Sequence, residues 1–234
     1  MRIALIGYGK MGKEIEKIAI DRGHEIVAII DQDNKEDIKS DKFLSAQVAI
    51  EFTTPETAFD NVKNSLMAGV PIVSGTTGWL DKLDEAKRIC EEKQCAFFYA
   101  SNYSLGVNVF FHINRELARI MNRFSDYNVN IEEIHHTQKL DAPSGTAITL
   151  ANDIIDLVVR KSEWVNDQKA HDNEIEIISV REGSVPGTHT ITYESDIDVI
   201  SIKHEAKNRK GLALGAIVAA EFLEGKKGIY TMND

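Results

Sequence analysis

Six residues near the start of the chain constrain its fold more than any other stretch. Gly7-Tyr8-Gly9-Lys10-Met11-Gly12 follows a short apolar run at residues 2–6. It leads into residues 13–21, where Ile15, Ile18 and Ala19 share one helical face. A second apolar run, residues 25–30, ends in Asp31, nineteen residues after Gly12. Strand, Gly-x-Gly-x-x-Gly, helix, strand, acid is the order of a dinucleotide-binding unit. Its glycines serve a tight turn, close backbone approach to a pyrophosphate and close helix–strand packing. Asp31 is placed to accept hydrogen bonds from an adenosine ribose. That carboxylate, followed by Gln32 and not by a basic residue, leans toward NADH. Lys35 is near enough to reach a 2′-phosphate, so NADH and NADPH both stay open.

The same alternation continues. Residues 48–53, 71–74 and 95–100 read as strands three to five, with a helix after the first of them, where Ala58, Val62 and Leu66 repeat, and another over 80–93. Thr54-Pro55-Glu56-Thr57 reads as the cap of the first of these helices. Residues 33–46 read as a loop with one short helix. In an open parallel sheet, ligands sit at the carboxyl ends of the strands. Gly75, Thr76 and Thr77 after strand four, and Ala100, Ser101, Asn102 and Tyr103 at the end of strand five, are therefore expected at the same cofactor. Asn102 reads equally well as a turn residue.

Beyond residue 104 the pattern changes. Residues 107–123 form a long amphipathic helix with Phe110, Asn114, Leu117 and Met121 on one face, expected between two domains. Residues 127–136 alternate: Val129, Ile131, Glu133 and His135 point one way, Asn130, Glu132, Ile134 and His136 the other. A helix over 147–159 and strands over 174–181, 187–195 and 196–204 follow. They imply a mixed or antiparallel sheet with helices on one face and the other free for an oligomer contact. The apolar helix at 211–223 is expected to return to the first domain. The fold class is thus α/β: a Rossmann-type dinucleotide-binding domain plus an α+β substrate and oligomerisation domain with a mixed sheet.

Composition removes several classes of function. A net charge of −10 argues against a general binder of nucleic acid or anionic membrane. Cys90 and Cys95 alone form neither a disulfide framework nor a four-thiol metal site, and no metal is expected. No apolar run approaches the roughly 18 residues of a membrane span, and residues 2–6 are too short for a signal peptide. A cytoplasmic protein is expected.

The most chemically loaded stretch is Glu133-Ile134-His135-His136-Thr137-Gln138-Lys139-Leu140-Asp141-Ala142-Pro143-Ser144-Gly145-Thr146-Ala147. Two imidazoles, which titrate near neutrality, stand at a strand end. An ammonium follows four residues after the first. Pro143-Ser144-Gly145-Thr146 then opens a helix, whose first-turn N–H groups suit an anion. Proton chemistry on an anionic small molecule is the expectation, although Ser144 alone also reads as an N-cap.

That segment resembles the signature of the dihydrodipicolinate reductase family. The resemblance spans nearly the whole chain, through residues 7–12, 75–78, 100–104, Arg181-Glu182-Gly183, Gly187-x-His189 and the stretch from His204-x-Ala206 to Gly215-Ala216. It implies a dinucleotide-binding domain of residues 1–104 and 208–234, and a substrate-binding and oligomerisation domain of residues 105–207 that assembles a homotetramer. It implies hydride transfer from NADH or NADPH to C4 of a cyclic dicarboxylate, with loss of the 4-hydroxyl as water. By motif, His135 and Lys139 are the acid groups, Lys139 the proton donor. His136 contacts substrate, and Ser144, Gly145 and Thr146 hold one carboxylate. Arg209 is a candidate for the other, although the residue after it, Lys210, departs from the bulky one usual in the family. Two other readings share the two-domain plan: an amino-acid dehydrogenase such as aspartate dehydrogenase, and a non-catalytic NAD-binding sensor. The first would lack the His-His-x-x-Lys segment, and the second predicts decay of His135 or Lys139.

Overall fold

The computed structural model describes residues 1–208 and 210–234. Arg209, a candidate carboxylate contact, lies outside the described residues. The chain forms two compact units, Met1–Leu105 with Lys210–Asp234, and Gly106–Arg209.

In the first unit β1 (Arg2–Ile6), β2 (Glu25–Ile30), β3 (Val48–Glu51), β4 (Ile72–Ser74), β5 (Ala96–Tyr99) and β11 (Gly228–Tyr230) form one parallel sheet in the order β11-β5-β4-β3-β1-β2. Both faces are covered, which is why its strands are almost continuously apolar. Ile3 and Leu5 pack with Ile15 and Ala19 of α1 (Lys10–Asp21) and with Ala213, Ile217 and Leu223 of α7 (Lys210–Leu223). Ala4 and Ile6 point the other way, into a core with Phe59, Val62 and Leu66 of α3 (Pro55–Met67) and Ala86 and Ile89 of α4 (Leu83–Glu92). β2 lies outside β1 while β3 lies on its other side. The winding therefore reverses between β1 and β3, and the turns after those two strands open a crevice at their carboxyl ends.

Local chemistry adjusts several expected boundaries. Residues 33–46, expected as a loop with one short helix, hold that short helix as the one-turn α2 (Asp41–Leu44), and the expected loop before it is a 3-10 segment, Gln32–Lys39, capped by the Asp31 side chain. Thr54 does stand at the N-cap of α3, but its side chain makes no cap bond. β11 has only three residues, too few for a periodic signal.

The second unit is built on β6 (Asn128–His135). Its sheet runs β10-β9-β6-β8-β7, with β7 at Glu163–Asn166, β8 at Glu174–Arg181, β9 at Thr188–Glu194 and β10 at Val199–Glu205. β9 is antiparallel to β6 and β10, whereas β6, β8 and β7 are parallel, so the sheet is mixed. Residues 163–166, a four-residue edge strand with Trp164 and Val165 adjacent, carry no alternation that would mark them. Val129, Ile131, Ile175, Ile177, Ile191 and Tyr193 face α5 (Leu105–Met121) and α6 (Gly145–Leu157) across a core with Phe110, Leu150 and Ile154. The opposite face holds Ile134, Ile178, Val180, Thr190 and Thr192, all half-buried, and the exposed Val199.

The tightest approach in the first unit is between α7 and the segment after β5. A Cβ on Gly215 would lie 1.6 Å from the Tyr103 carbonyl oxygen. Gly215→Ala is therefore expected to cost at least about 2 kcal/mol. An unchanged urea midpoint in that variant would contradict the contact.

Candidate active site

Strand register assembles the acid cluster. On the helix-covered face of the second sheet, Glu133 of β6 stands between Ser179 of β8 and His189 of β9, and His135 stands one step along, beside Arg181. The alternation that buries Val129 and Ile131 buries Glu133 and His135 with them; Glu133 is fully buried. An acid at an apolar position must be satisfied by donors. Its Oε1 accepts from Ser179 Oγ at 2.9 Å, Arg181 Nη2 at 3.0 Å and the Ser144 N–H at 3.0 Å, and the same N–H lies 3.1 Å from Oε2. His135 Nδ1 and His189 Nε2 lie 3.3 and 3.7 Å from Oε2, at ion-pair distance but without hydrogen-bond alignment.

Burial would push the Glu133 carboxyl up. The side chains of His135, Ser144, Arg181 and Ser179 outweigh it and hold the group well below the usual carboxylate range. Burial, reinforced by the charge of His135, pushes His189 down to about 4. His189 is therefore neutral at pH 7. Its Nε2 lies 3.2 Å from Ser144 Oγ, and the rings of His135 and His189 meet edge to face at 5.1 Å. Glu133, His135 and His189 bring three ligand-type atoms within 4.8 Å of one another. The carboxylate, however, already accepts from the Arg181 guanidinium, the Ser179 hydroxyl and the Ser144 N–H.

Ser144 ends the loop from β6 and starts α6. Its Oγ accepts from the Ala147 N–H at 3.2 Å and its carbonyl from Ile148. With the Ser144 N–H held by Glu133, the helix start keeps two N–H groups without a backbone or side-chain partner, those of Gly145 and Thr146. Gly145 is exposed, and no atom lies within 4 Å of where its Cβ would be. Ser144 itself is buried with its polar atoms committed inside the protein, so its place is structural support. Lys139, in the intervening loop, donates to both oxygens of Asp141 at 2.8 Å. Arg181 Nη2 also donates to the Asp141 carbonyl at 2.6 Å, tying that loop to Glu133. His136 is half-buried just past the end of β6, with Nδ1 sealed and unpartnered.

The first unit carries the cofactor-type residues. Gly9, Lys10 and Met11 after β1, Phe52, Thr53 and Pro55 after β3, and Gly75, Thr76 and Thr77 after β4 line one cavity of about 400 Å³ at the switch point. Gly7 has φ +94°, and a Cβ there would meet the Phe52 carbonyl oxygen at 2.0 Å; one on Gly12 would meet the Gly7 oxygen at 2.2 Å. Gly9 at the N-cap leaves the first turn of α1 uncapped by any side chain and free of acidic residues, which suits a pyrophosphate. The residues present therefore fit a dinucleotide. Beneath the cavity, the fully buried Glu51 accepts from Thr53, Ser74 Oγ at 2.7 Å and Thr76 Oγ1 at 2.7 Å, fixing the ends of β3 and β4.

Other candidates sit apart from that lining. The Tyr8 hydroxyl donates to Glu16, and Lys13 lies over the Tyr8 ring. The Asp31 carboxylate accepts from the Gln32 N–H at 2.9 Å and remains exposed. Ala100 is buried, Ser101 is exposed, and Asn102 Oδ1 accepts from the Ser104 N–H at 2.9 Å as a turn residue would. The Tyr103 phenol belongs to the core, donating to the Ser74 carbonyl at 2.7 Å.

Sequence reasoning assigned no role to Glu133, Arg181, Ser179, His189 or Glu51. The signal available for Glu133 and Glu51 was an acid standing in an apolar position of a strand. Arg181 and His189 stood in motifs that carry the resemblance, but their place beside Glu133, like that of Ser179, comes only from strand register.

Comparisons with known proteins bear on both units. Residues 1–103 match the family model described as dihydrodipicolinate reductase, N-terminus, and residues 106–234 match dihydrodipicolinate reductase, C-terminus. A Christiangramia forsetii protein named 4-hydroxy-tetrahydrodipicolinate reductase is 53% identical over 234 residues, which is 100% of this chain and 97% of that protein. One of the same name from Clostridium novyi is 34% identical, over 97% of this chain and 94% of its own length. Among solved structures, dipicolinate-bound dihydrodipicolinate reductase from Paenisporosarcina sp. TG-14 aligns with a TM-score of 0.79 at 25% identity, covering 100% of this chain and 98% of that one. An amine dehydrogenase from Mycobacterium smegmatis shares the fold alone, with a TM-score of 0.62 at 9% identity over 100% and 95% of the two chains.

The depressed His189 predicts acid sensitivity. Its ordinary value is 6.5 and its folded value about 4. Between them the unfolded chain binds a proton that the folded chain refuses, so this contribution is full above pH 6.5 and is lost as pH falls toward 4. Urea titrations at pH 7 and pH 4.5 should show wild type losing about 2 kcal/mol more than His189→Gln. Equal losses would contradict the assignment.

Proposed function

The chain belongs to the dihydrodipicolinate reductase family, and from that premise we propose which of its residues carry the reaction. It is an NAD(P)H-dependent oxidoreductase that reduces 4-hydroxy-tetrahydrodipicolinate to tetrahydrodipicolinate, with loss of water, in lysine biosynthesis through diaminopimelate. The observation that carries the residue assignment is the coupling of two features through one carboxylate. Glu133 holds both His135 and the start of α6, where two N–H groups are left for an anion.

Gly145 and Thr146 bind one substrate carboxylate through those N–H groups, in the positive field of the helix start. When bound, the dinucleotide supplies the hydride; the α1 turn at residues 9–11 and residues 75–77 hold it, and Asp31 meets its ribose. Departure of the 4-hydroxyl with a C3 proton as water first leaves an imine conjugated through C3 and C4. Hydride arrival at its C4 then places negative charge on C3 and the ring nitrogen, where a proton completes the reduction. Lys139 and His135 supply positive charge and a proton where that charge grows, so they stabilise the transition state more than the ground state. Lys139 is held by an exposed carboxylate, Asp141, which an incoming dicarboxylate can displace. His136 adds a polar contact to the substrate, and Arg209 is assigned to the second carboxylate.

No helix among the described residues is long and apolar enough to cross a membrane. The chain acts in the cytoplasm as a homotetramer, its contact formed by the face of the second sheet away from α5 and α6, where Ile134, Ile178 and Val180 stand among Thr190, Thr192, Glu132 and Glu176. Among the described residues no helix of the unit packs on that mixed face, which supports the reading.

Lys139→Ala and His135→Ala should each lower kcat by about 10²- to 10⁴-fold, in a coupled assay that generates the unstable substrate in situ. Near-normal turnover of either variant would refute its role. The exposed Asp31 carboxylate predicts a higher kcat/KM with NADH than with NADPH, and a strong NADPH preference would overturn that assignment.

A further inference from the structure

We propose that Glu133 is a positioning residue that decides which nitrogen of His135 carries the proton and ties that nitrogen to the anion site. An ionised carboxylate only accepts hydrogen bonds. Each group facing it must therefore present a hydrogen, and the groups from β8 and α6 do so. His135 Nδ1 faces the same carboxylate at 3.3 Å and is sealed from water. A lone pair there would oppose a full negative charge with no solvent between, so Nδ1 holds the hydrogen.

The other nitrogen is left for exchange. Nε2 of His135 makes no hydrogen bond and is not sealed as Nδ1 is. Gly187, at φ +150°, keeps it clear: a Cβ at that position would stand 3.0 Å from Nε2. His189 lies on the same carboxylate but is neutral, as described above. The charge of Glu133 is thus answered by Arg181 and by whatever positive charge His135 acquires. The carboxylate also grips the Ser144 N–H, one residue before the two open N–H groups of α6. A single rigid group therefore sets the position of the proton-exchanging nitrogen relative to the carboxylate-binding N–H groups. Arg181 extends this to the Lys139 loop through the Asp141 carbonyl.

The inference rests on the assignment of His135 as an acid group, and the experiment separates the two. Long-range ¹H–¹⁵N spectra of His135, recorded on the full chain at a pH where the ring is neutral, report the tautomer directly. Wild type is expected to be Nδ1-protonated. Glu133→Gln keeps an oxygen for Ser144, Ser179 and Arg181 but turns an NH₂ toward the histidines. It should shift His135 to the Nε2-protonated form and lower kcat by up to about 10⁴-fold, the loss seen when the carboxylate orienting a serine-protease imidazole becomes an amide. The KM for substrate and the Kd for the dinucleotide should stay within about threefold, and Glu133→Asp should retain the wild-type tautomer. An Nε2-protonated wild type would overturn the proposal whatever becomes of the variants. So would a Glu133→Gln enzyme with wild-type kcat, or one that loses activity through KM and Tm with its tautomer unchanged. If His135→Ala turns over normally, it is the assignment of His135 that fails, and the tautomer shift still reads the effect of Glu133.

Discussion

A carboxylate wholly withdrawn from water dictates what surrounds it. Desolvating an ion costs several kcal/mol even after the protein relaxes, and each hydrogen bond to a charged group returns about 1.5–3 kcal/mol. Glu133 therefore requires several donors, and the fold supplies them from β8 and from Ser144, the residue that caps α6, with two histidines alongside. Because those donors come from separate parts of the second unit, satisfying one charge fixes the relative position of strand, helix start and loop. The chemistry assigned to His135, Lys139 and the α6 N–H groups depends on that fixed geometry.

The first unit uses a similar device with neutral partners. Glu51, also fully buried, accepts from Thr53, Ser74 and Thr76, the residues that end β3 and begin the turn after β4. Those turns line the cavity assigned to the dinucleotide. Each unit thus places an acid inside an apolar strand and uses its need for hydrogen bonds to shape the loops at the strand ends. The carboxylates differ in their partners. Around Glu133 a fixed guanidinium charge stands beside an imidazole, His135, assigned to proton exchange, whereas the hydroxyls around Glu51 suit a static scaffold.

Much of this was legible in the residues. The order strand, glycine turn, helix, strand, acid marked the first unit because each part answers a separate steric or electrostatic need. The alternation of residues 127–136 correctly put Glu133 and His135 on one face. Short elements with no periodicity, residues 163–166 and 228–230, were not legible, because three or four residues carry no pattern against the background of loops. The cluster around Glu133 was hidden for a different reason. Ser179 and His189 are 46 and 56 positions away and meet Glu133 only through strand register, which local sequence does not encode. Tyr103, expected at the cofactor, illustrates the opposite limit: a phenol after a strand end suits a ligand site and a core equally, and here its ring lies in the core.

The most direct test of the account is a structure of the chain with NADH and the planar dicarboxylate 2,6-pyridinedicarboxylate. It should show one carboxylate on the Gly145 and Thr146 N–H groups and the ring edge toward His135 and Lys139, with the Glu133 contacts intact. A dicarboxylate bound elsewhere, with those two N–H groups still open, would contradict it.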